Sequence, residues 1–246
     1  MTLTIEQGAD LLRRVRAAVA TRVIGQDDAI DDALVAFIAR GHILIEGVPG
    51  TAKTLLAKTL AAALGVRFGR IQFTPDLMPA DVTGVSIYRE TLRAFEFQPG
   101  PIFTDILLAD EINRAPAKTQ SALLEGMGER QVTADGSSRP LDALFTVIAT
   151  QNPVEHDGTF PLPEAQLDRF LAKVVMGYPS SDAELAMLAL HESGFDPERG
   201  GPVTLVDPVL DDDQARAIRQ LVDGVRVAPE IREYIATITR ATRDDG

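Results

Sequence analysis

The sequence predicts an α/β fold built on a parallel sheet, with two β-hairpins inserted into it and a run of helices at its end. Three observations carry that prediction. Residues 41–64, GHILIEGVPGTAKTLLAKTLAAAL, read as a buried strand, a glycine-rich turn and a helix in immediate succession. ILLA at 106–109 is an apolar burst suited to a strand covered on both faces. Helical and strand signals alternate as far as GYPS at 177–180, after which only helical patterns follow. A domain boundary is expected there, giving an α/β unit over 1–178 and a helical unit over 179–246.

In chain order, helices are expected over 5–21 and 27–39, then a strand over 42–46 and a helix over 53–64. VRFGRIQF, residues 66–73, makes a second strand, and TPDLMPADVTG after it is too punctuated by proline for a long helix. GVSIYRE and LRAFEFQ form the first hairpin, turning near Thr91. The strand at 106–109 ends in two acids, and a helix over 117–128 follows. ERQVTADGSSRPL supplies the second hairpin through its Asp135-Gly136 turn, and FTVIATQNP is another buried strand. A further apolar strand follows Arg169, and helices are expected near 181–193, 210–223 and 229–243.

Composition narrows the function. With 246 residues and 45% hydrophobic content the chain can bury one sizeable core, or a main domain with a small satellite. The absence of cysteine excludes a disulfide framework and any thiolate metal site, and His42, His156 and His191 form no ligand pattern. A net charge of −12 points away from duplex nucleic acid, whose binding depends on concentrated Lys and Arg. No apolar run approaches eighteen residues and no signal-peptide layout opens the chain, so a cytoplasmic protein without membrane insertion is expected. The first helix, despite Arg13, Arg14 and Arg16, reads as an ordinary docking helix.

The turn after the first strand fits the P-loop pattern, GxxxxGK followed by Ser or Thr. In that pattern turn amides surround phosphates, a lysine reaches the β and γ oxygens, and a hydroxyl holds magnesium. Those roles fall to Gly47, Gly50, Lys53 and Thr54. Ala52 stands where the pattern has its second glycine, which is expected to keep φ negative there. Asp110 and Glu111, at the end of a hydrophobic strand, supply one carboxylate to position hydrated magnesium and a neighbour to polarise the attacking water. Asn152 ends the next strand and can hold that water or a phosphate through its amide. Arg169 stands just before another apolar strand, beside an acid.

Taken together, VIGQDDAI, GHILIEGVPGTAKT, FTPDLMPADVTG, FEFQPGPIF, ILLADEINRAPAKTQSALLEGM, ERQVT, VIATQNP and LPEAQLDRF resemble the AAA+ ATPases, and within them the MoxR group, over about residues 20–180. The resemblance implies a P-loop NTPase core with a five-stranded parallel sheet between helices, two hairpin insertions and a small all-α lid. It implies Mg2+ and ATP or ADP as cofactors, bound by Walker A over Gly47, Val48, Pro49, Gly50, Thr51, Ala52, Lys53, Thr54 and Leu55. Asp110 and Thr54 then hold magnesium, Glu111 is the base, Asn152 the sensor, and Val23, Ile24 and Gly25 lie beside adenine. Arg169 becomes an arginine finger reaching a neighbouring subunit's ATP, with Arg114 a second contact across that interface.

It further implies a homo-oligomeric ring, usually of six, acting in chaperone-like remodelling or cofactor insertion with a von Willebrand factor A domain protein and a protein client. The hairpins would face the pore or the partner, and their nearly balanced charges favour protein over nucleic acid. Because the chain ends at RATRDDG where family members continue, the lid is expected to be incomplete and nucleotide retention correspondingly weaker. A GTPase would need an NKxD motif, which the chain lacks. A DNA-processing AAA+ motor and a slow ATP-binding switch or scaffold stay open as alternatives.

Overall fold

The computed structural model describes residues 3–91, 93–153, 159–196 and 206–244. Five strands, β1 (Ile43–Glu46), β2 (Phe68–Gln72), β5 (Ile106–Asp110), β8 (Thr146–Gln151) and β9 (Ala172–Val175), form one sheet in the order β2-β5-β8-β1-β9. Every neighbouring pair is parallel. The antiparallel hairpins β3 (Gly84–Arg89) with β4 (Ala94–Pro99) and β6 (Gln131–Ala134) with β7 (Ser137–Pro140) stand apart from it. At the second hairpin Asp135 and Gly136 have φ of 51° and 72°, the two positive values that a tight hairpin turn requires.

The strands read as unbroken apolar runs because both faces of the sheet are covered. Along β5, Ile106 and Leu108 enter one core while Leu107 and Ala109 enter the other; Ile43 and Ile45 of β1 likewise oppose Leu44. The first core lies under α1 (Ile5–Ala20), α2 (Asp27–Ile38) and α3 (Lys53–Leu64); the second lies under α4 (Pro79–Thr83) and α5 (Ala117–Glu129). Thr4 caps α1 by accepting from the Gln7 amide while the Gln7 side chain accepts from the Thr4 amide. Val15 and Val19 of α1 are fully buried, and Arg16 forks onto Asp27 and Asp31 of α2. The first helix therefore docks on its neighbour. β2 starts two residues later than its apolar pattern, because the Val66 amide closes α3 onto Ala61 and Arg67 is tied by backbone and side chain to Asp105.

Between β8 and β9 lies α6 (Glu164–Leu167), and after the last strand come α7 (Ser181–Glu192), α8 (Asp212–Asp223) and α9 (Pro229–Asp244). Of the three long C-terminal helices, α8 joins the first core: Ala215, Ala217 and Ile218 are buried with Leu210 just before it. Arg219 goes in with them, only 2% exposed, its guanidinium over the Phe37 ring and donating to the Ala143 carbonyl and the Thr146 hydroxyl. Arg40 forks onto Asp223 at the end of the same helix.

His42, at the foot of β1, is 4% exposed; its Nδ1 accepts from the Val147 amide and its Nε2 faces the Met127 carbonyl. Burial, reinforced by the charge of Arg130, pushes the ring's pKa down to about 3. The folded chain thus keeps this histidine neutral at pH values where the unfolded chain takes up a proton. Stability is expected to be full above about pH 6.5 and to fall as pH drops through the window from 6.5 toward 3, by about 1.4 kcal/mol per pH unit. Denaturant unfolding between pH 7 and 5 checks this, and His42→Asn removes that part of the slope. Of the other histidines, His191 faces the Phe195 carbonyl through Nδ1, and His156 lies outside the described residues. The described residues contain no cluster of three or more metal-binding side chains.

Candidate nucleotide site

The C-terminal ends of β1, β5 and β8 open onto a cleft of about 660 Å3 lined by residues 49–55, Lys58, Arg70, Asp110, Glu111, Thr150, Asn152 and Met187. The sheet order explains the grouping. β8 lies between β1 and β5, so its end residues separate the glycine-rich loop from the paired acids. Ligands of open α/β sheets bind at this end of the strands.

The loop itself is tight. A Cβ at Gly47 would meet the Met176 carbonyl at 2.5 Å, which leaves glycine as the residue that fits. Gly50 has φ of 86°, and Ala52 has φ of 65° and ψ of 21°. The expectation of a negative φ at Ala52 is therefore wrong: the chain keeps the left-handed turn that starts α3 and places a methyl in it, at a cost of about 1 kcal/mol. Such strain is common where a loop must approach a ligand. Lys53 Nζ donates to the Gly47 and Val48 carbonyls at 2.7 and 2.8 Å, and the Thr51 hydroxyl donates to Val48. Burial lowers the Lys53 pKa, and Asp110 and Glu111 pull it back upward. Thr54 and Lys58 lie one helical turn apart on the cleft side of α3, so Lys58 adds a second cation.

The acids are held by a bridge that the sequence did not suggest. Thr150 donates its hydroxyl to Asp110 Oδ1 at 2.6 Å and accepts the Glu111 amide at 2.9 Å. Glu111 has φ of 55°, again left-handed. Consecutive strand residues point to opposite faces, and this change of backbone conformation lets both neighbours line one cleft. The Glu111 carboxylate accepts from Gln72 at 2.9 Å and pairs with Arg114 at 3.2 Å; Asp110 Oδ2 accepts from Arg70 at 2.7 Å. Asn152, 6% exposed, stands two residues beyond Thr150.

The donor set fits the expected ligands. A hydroxyl at Thr54 and a carboxylate at Asp110 are hard oxygen donors suited to magnesium, while Lys53, Lys58, Arg70 and the start of α3 make the cleft wall favourable to phosphate. Other expected residues lie outside this cleft. Val23 is buried, and Gly25 with φ of 74° passes so close to Ala183 that a Cβ would overlap it; the Gln26 side chain donates through Nε2 to the Gly177 carbonyl. That segment therefore packs against the start of α7, whose Met187 reaches the cleft. Arg169 is exposed and donates to the Leu124 carbonyl on α5, away from the cleft lining. Arg114 touches its own chain's Glu111.

Lys58, Arg70, Thr150 and Met187 were not singled out from the sequence. Lys58 had a signal, the i+4 spacing from Thr54, and Thr150 had one in sharing the strand face of Asn152. Arg70 and Met187 enter the cleft only through long-range packing.

The family described as ATPase family associated with various cellular activities (AAA) matches residues 42–172. The uncharacterized protein YeaC of Bacillus subtilis is 50% identical over 221 residues, covering 90% of this chain and 67% of that one. Chaperone MoxR1 of Mycobacterium tuberculosis is 43% identical, covering 94% of this chain and 59% of its own length. The crystal structure of a Cytophaga hutchinsonii protein assigned as an ATPase superposes with a TM-score of 0.84 at 41% identity, covering 96% of this chain and 69% of that one. The chain thus spans about three fifths to two thirds of the length of these relatives.

Proposed function

Because the chain belongs to the AAA family of ATPases, in its MoxR group, we propose that it binds ATP in the cleft at the ends of β1, β5 and β8 and hydrolyses it to ADP and phosphate. The observation that carries this reading is the Thr150 bridge, which fixes Asp110 and Glu111 opposite Lys53 across the end of one strand. Lys53 and the loop amides bind the polyphosphate; when a phosphate arrives, it competes with the Gly47 and Val48 carbonyls for the ammonium. Thr54 and Asp110 would hold magnesium, which when bound neutralises charge on the β and γ phosphates. Glu111 accepts the proton of the attacking water and Asn152 orients that water. Val23, Ile24 and Gly25, the last of them against Ala183 of α7, would flank the base.

Lys53→Ala tests the reading. The expected result is at least a tenfold loss of ATP affinity, because a partly desolvated charge on the phosphates is removed; equal affinity in a direct binding titration would sink the phosphate role.

The same reading makes the chain a homo-oligomer, in the family's manner a six-membered ring, working as a chaperone-like remodelling or assembly motor. The name of Chaperone MoxR1 supports that role. The protein client and the von Willebrand factor A domain partner come with the family likeness. A net charge of −12 and the exposed, edge-to-face Tyr88 and Phe95 on the first hairpin favour protein clients over nucleic acid. We divide the chain into a nucleotide-binding unit over 1–178 and the start of a helical lid over 179–246, with α8 anchoring the latter on the first core. Among the described residues no helix is long and apolar enough to cross a membrane, and the ATP requirement favours a cytoplasmic place of work.

A further inference from the structure

The carboxylate of Asp110 is enclosed on both oxygens. Oδ1 accepts from the Thr150 hydroxyl at 2.6 Å, and Oδ2 accepts from Arg70 Nη2 at 2.7 Å and Nε at 3.2 Å. Both partners line the cleft, but Thr150 is fully buried in the strand beside the acid, whereas the Arg70 side chain is 44% exposed. A guanidinium and a hydrated dication are both cations and compete for one carboxylate oxygen.

Building on the nucleotide reading above, we propose that Arg70 is the internal counter-ion of Asp110, which magnesium must displace, so that this arginine sets how strongly metal and nucleotide binding are coupled. It is a positioning residue acting through Asp110. In the metal-free protein Arg70 cancels the negative charge that Asp110 would otherwise present to an incoming polyphosphate. A guanidinium released from Asp110 would stay in the cleft, because Nη2 is also held by the Gln72 side-chain oxygen at 2.8 Å. Without Arg70, magnesium no longer has an ion pair to break, and metal-free nucleotide meets an uncompensated carboxylate. Both changes push the dependence on metal the same way.

The experiment uses the whole chain and a fluorescent ADP analogue, and compares the dissociation constant in EDTA with that in saturating magnesium. Arg70→Gln is expected to raise the ratio of the two roughly fivefold to tenfold, a charged hydrogen bond discounted for partial exposure. Arg70→Lys, which keeps the charge but loses the fork, is expected to fall between Gln and the native residue. In an Asp110→Asn background, Arg70→Gln is expected to leave the ratio unchanged. An unaltered ratio in the single Arg70→Gln variant, or equal weakening with and without metal, overturns the proposal by reducing Arg70 to a structural prop. A native chain that binds no nucleotide in either condition overturns it too, and is separately recognisable as a failure of the ATP-site reading.

Discussion

Glu111→Gln is expected to bind ATP as tightly as the native chain while turning it over about 100 to 10,000 times more slowly, the range over which a positioned general base contributes. The substitution is close to isosteric. The left-handed backbone at residue 111, its amide bond to Thr150 and the neighbouring Asp110 all remain, so phosphate binding through Lys53 is untouched. What disappears is the carboxylate that takes a proton from water. Gln72 and Arg114 hold that carboxylate at its rim, at 2.9 and 3.2 Å, and a glutamine can still meet Arg114 with its oxygen. Nucleotide affinity and phosphate release measured on the same preparation separate binding from chemistry. Turnover at the native rate would remove Glu111 from the mechanism.

Arg169→Ala carries the second large effect, and for a different reason. The guanidinium is exposed and donates to the Leu124 carbonyl on α5, and it does not line its own chain's cleft. A catalytic role therefore requires the cleft of another copy. An arginine supplied in this way is worth about a thousandfold or more in phosphoryl transfer. The expected result is that native ATPase rate per protomer climbs steeply with protein concentration, while Arg169→Ala stays near zero at every concentration with ATP affinity intact. Mixing provides the sharper check. A site assembled from the Glu111 of an Arg169→Ala chain and the Arg169 of a Glu111→Gln chain is complete, so the two inactive variants are expected to recover activity together. Failure of the mixture to recover would confine Arg169 to a structural contact with α5.

Much of this site was legible because its signals are local. The strand, loop and helix of residues 43–64 follow one another directly, the paired acids end their own strand, and Asp135-Gly136 announces its hairpin. The contacts that tune the acids are not local. Arg70 and Thr150 each lie forty residues from Asp110, one on either neighbouring strand, and only the sheet order brings them to it. The docking of α8 was hidden for a related reason: Arg219 reads as a solvent-facing residue, yet Phe37 and two oxygens at the foot of β8 give it a buried place. Arg169 was singled out by family likeness, which gave no sign of its attachment to α5.

The methyl of Ala52 in its left-handed turn bears on how the sequence can drift. A β-branched or bulky residue at positive φ is a genuine outlier, whereas glycine relieves the strain and asparagine or aspartate tolerate it. Position 52 therefore passes only a narrow set of replacements, and most single-base routes out of alanine lead to chains that fold less readily before any chemistry is tested. Selection on folding alone would confine position 52 to a few residues, with glycine favoured over the alanine that stands there.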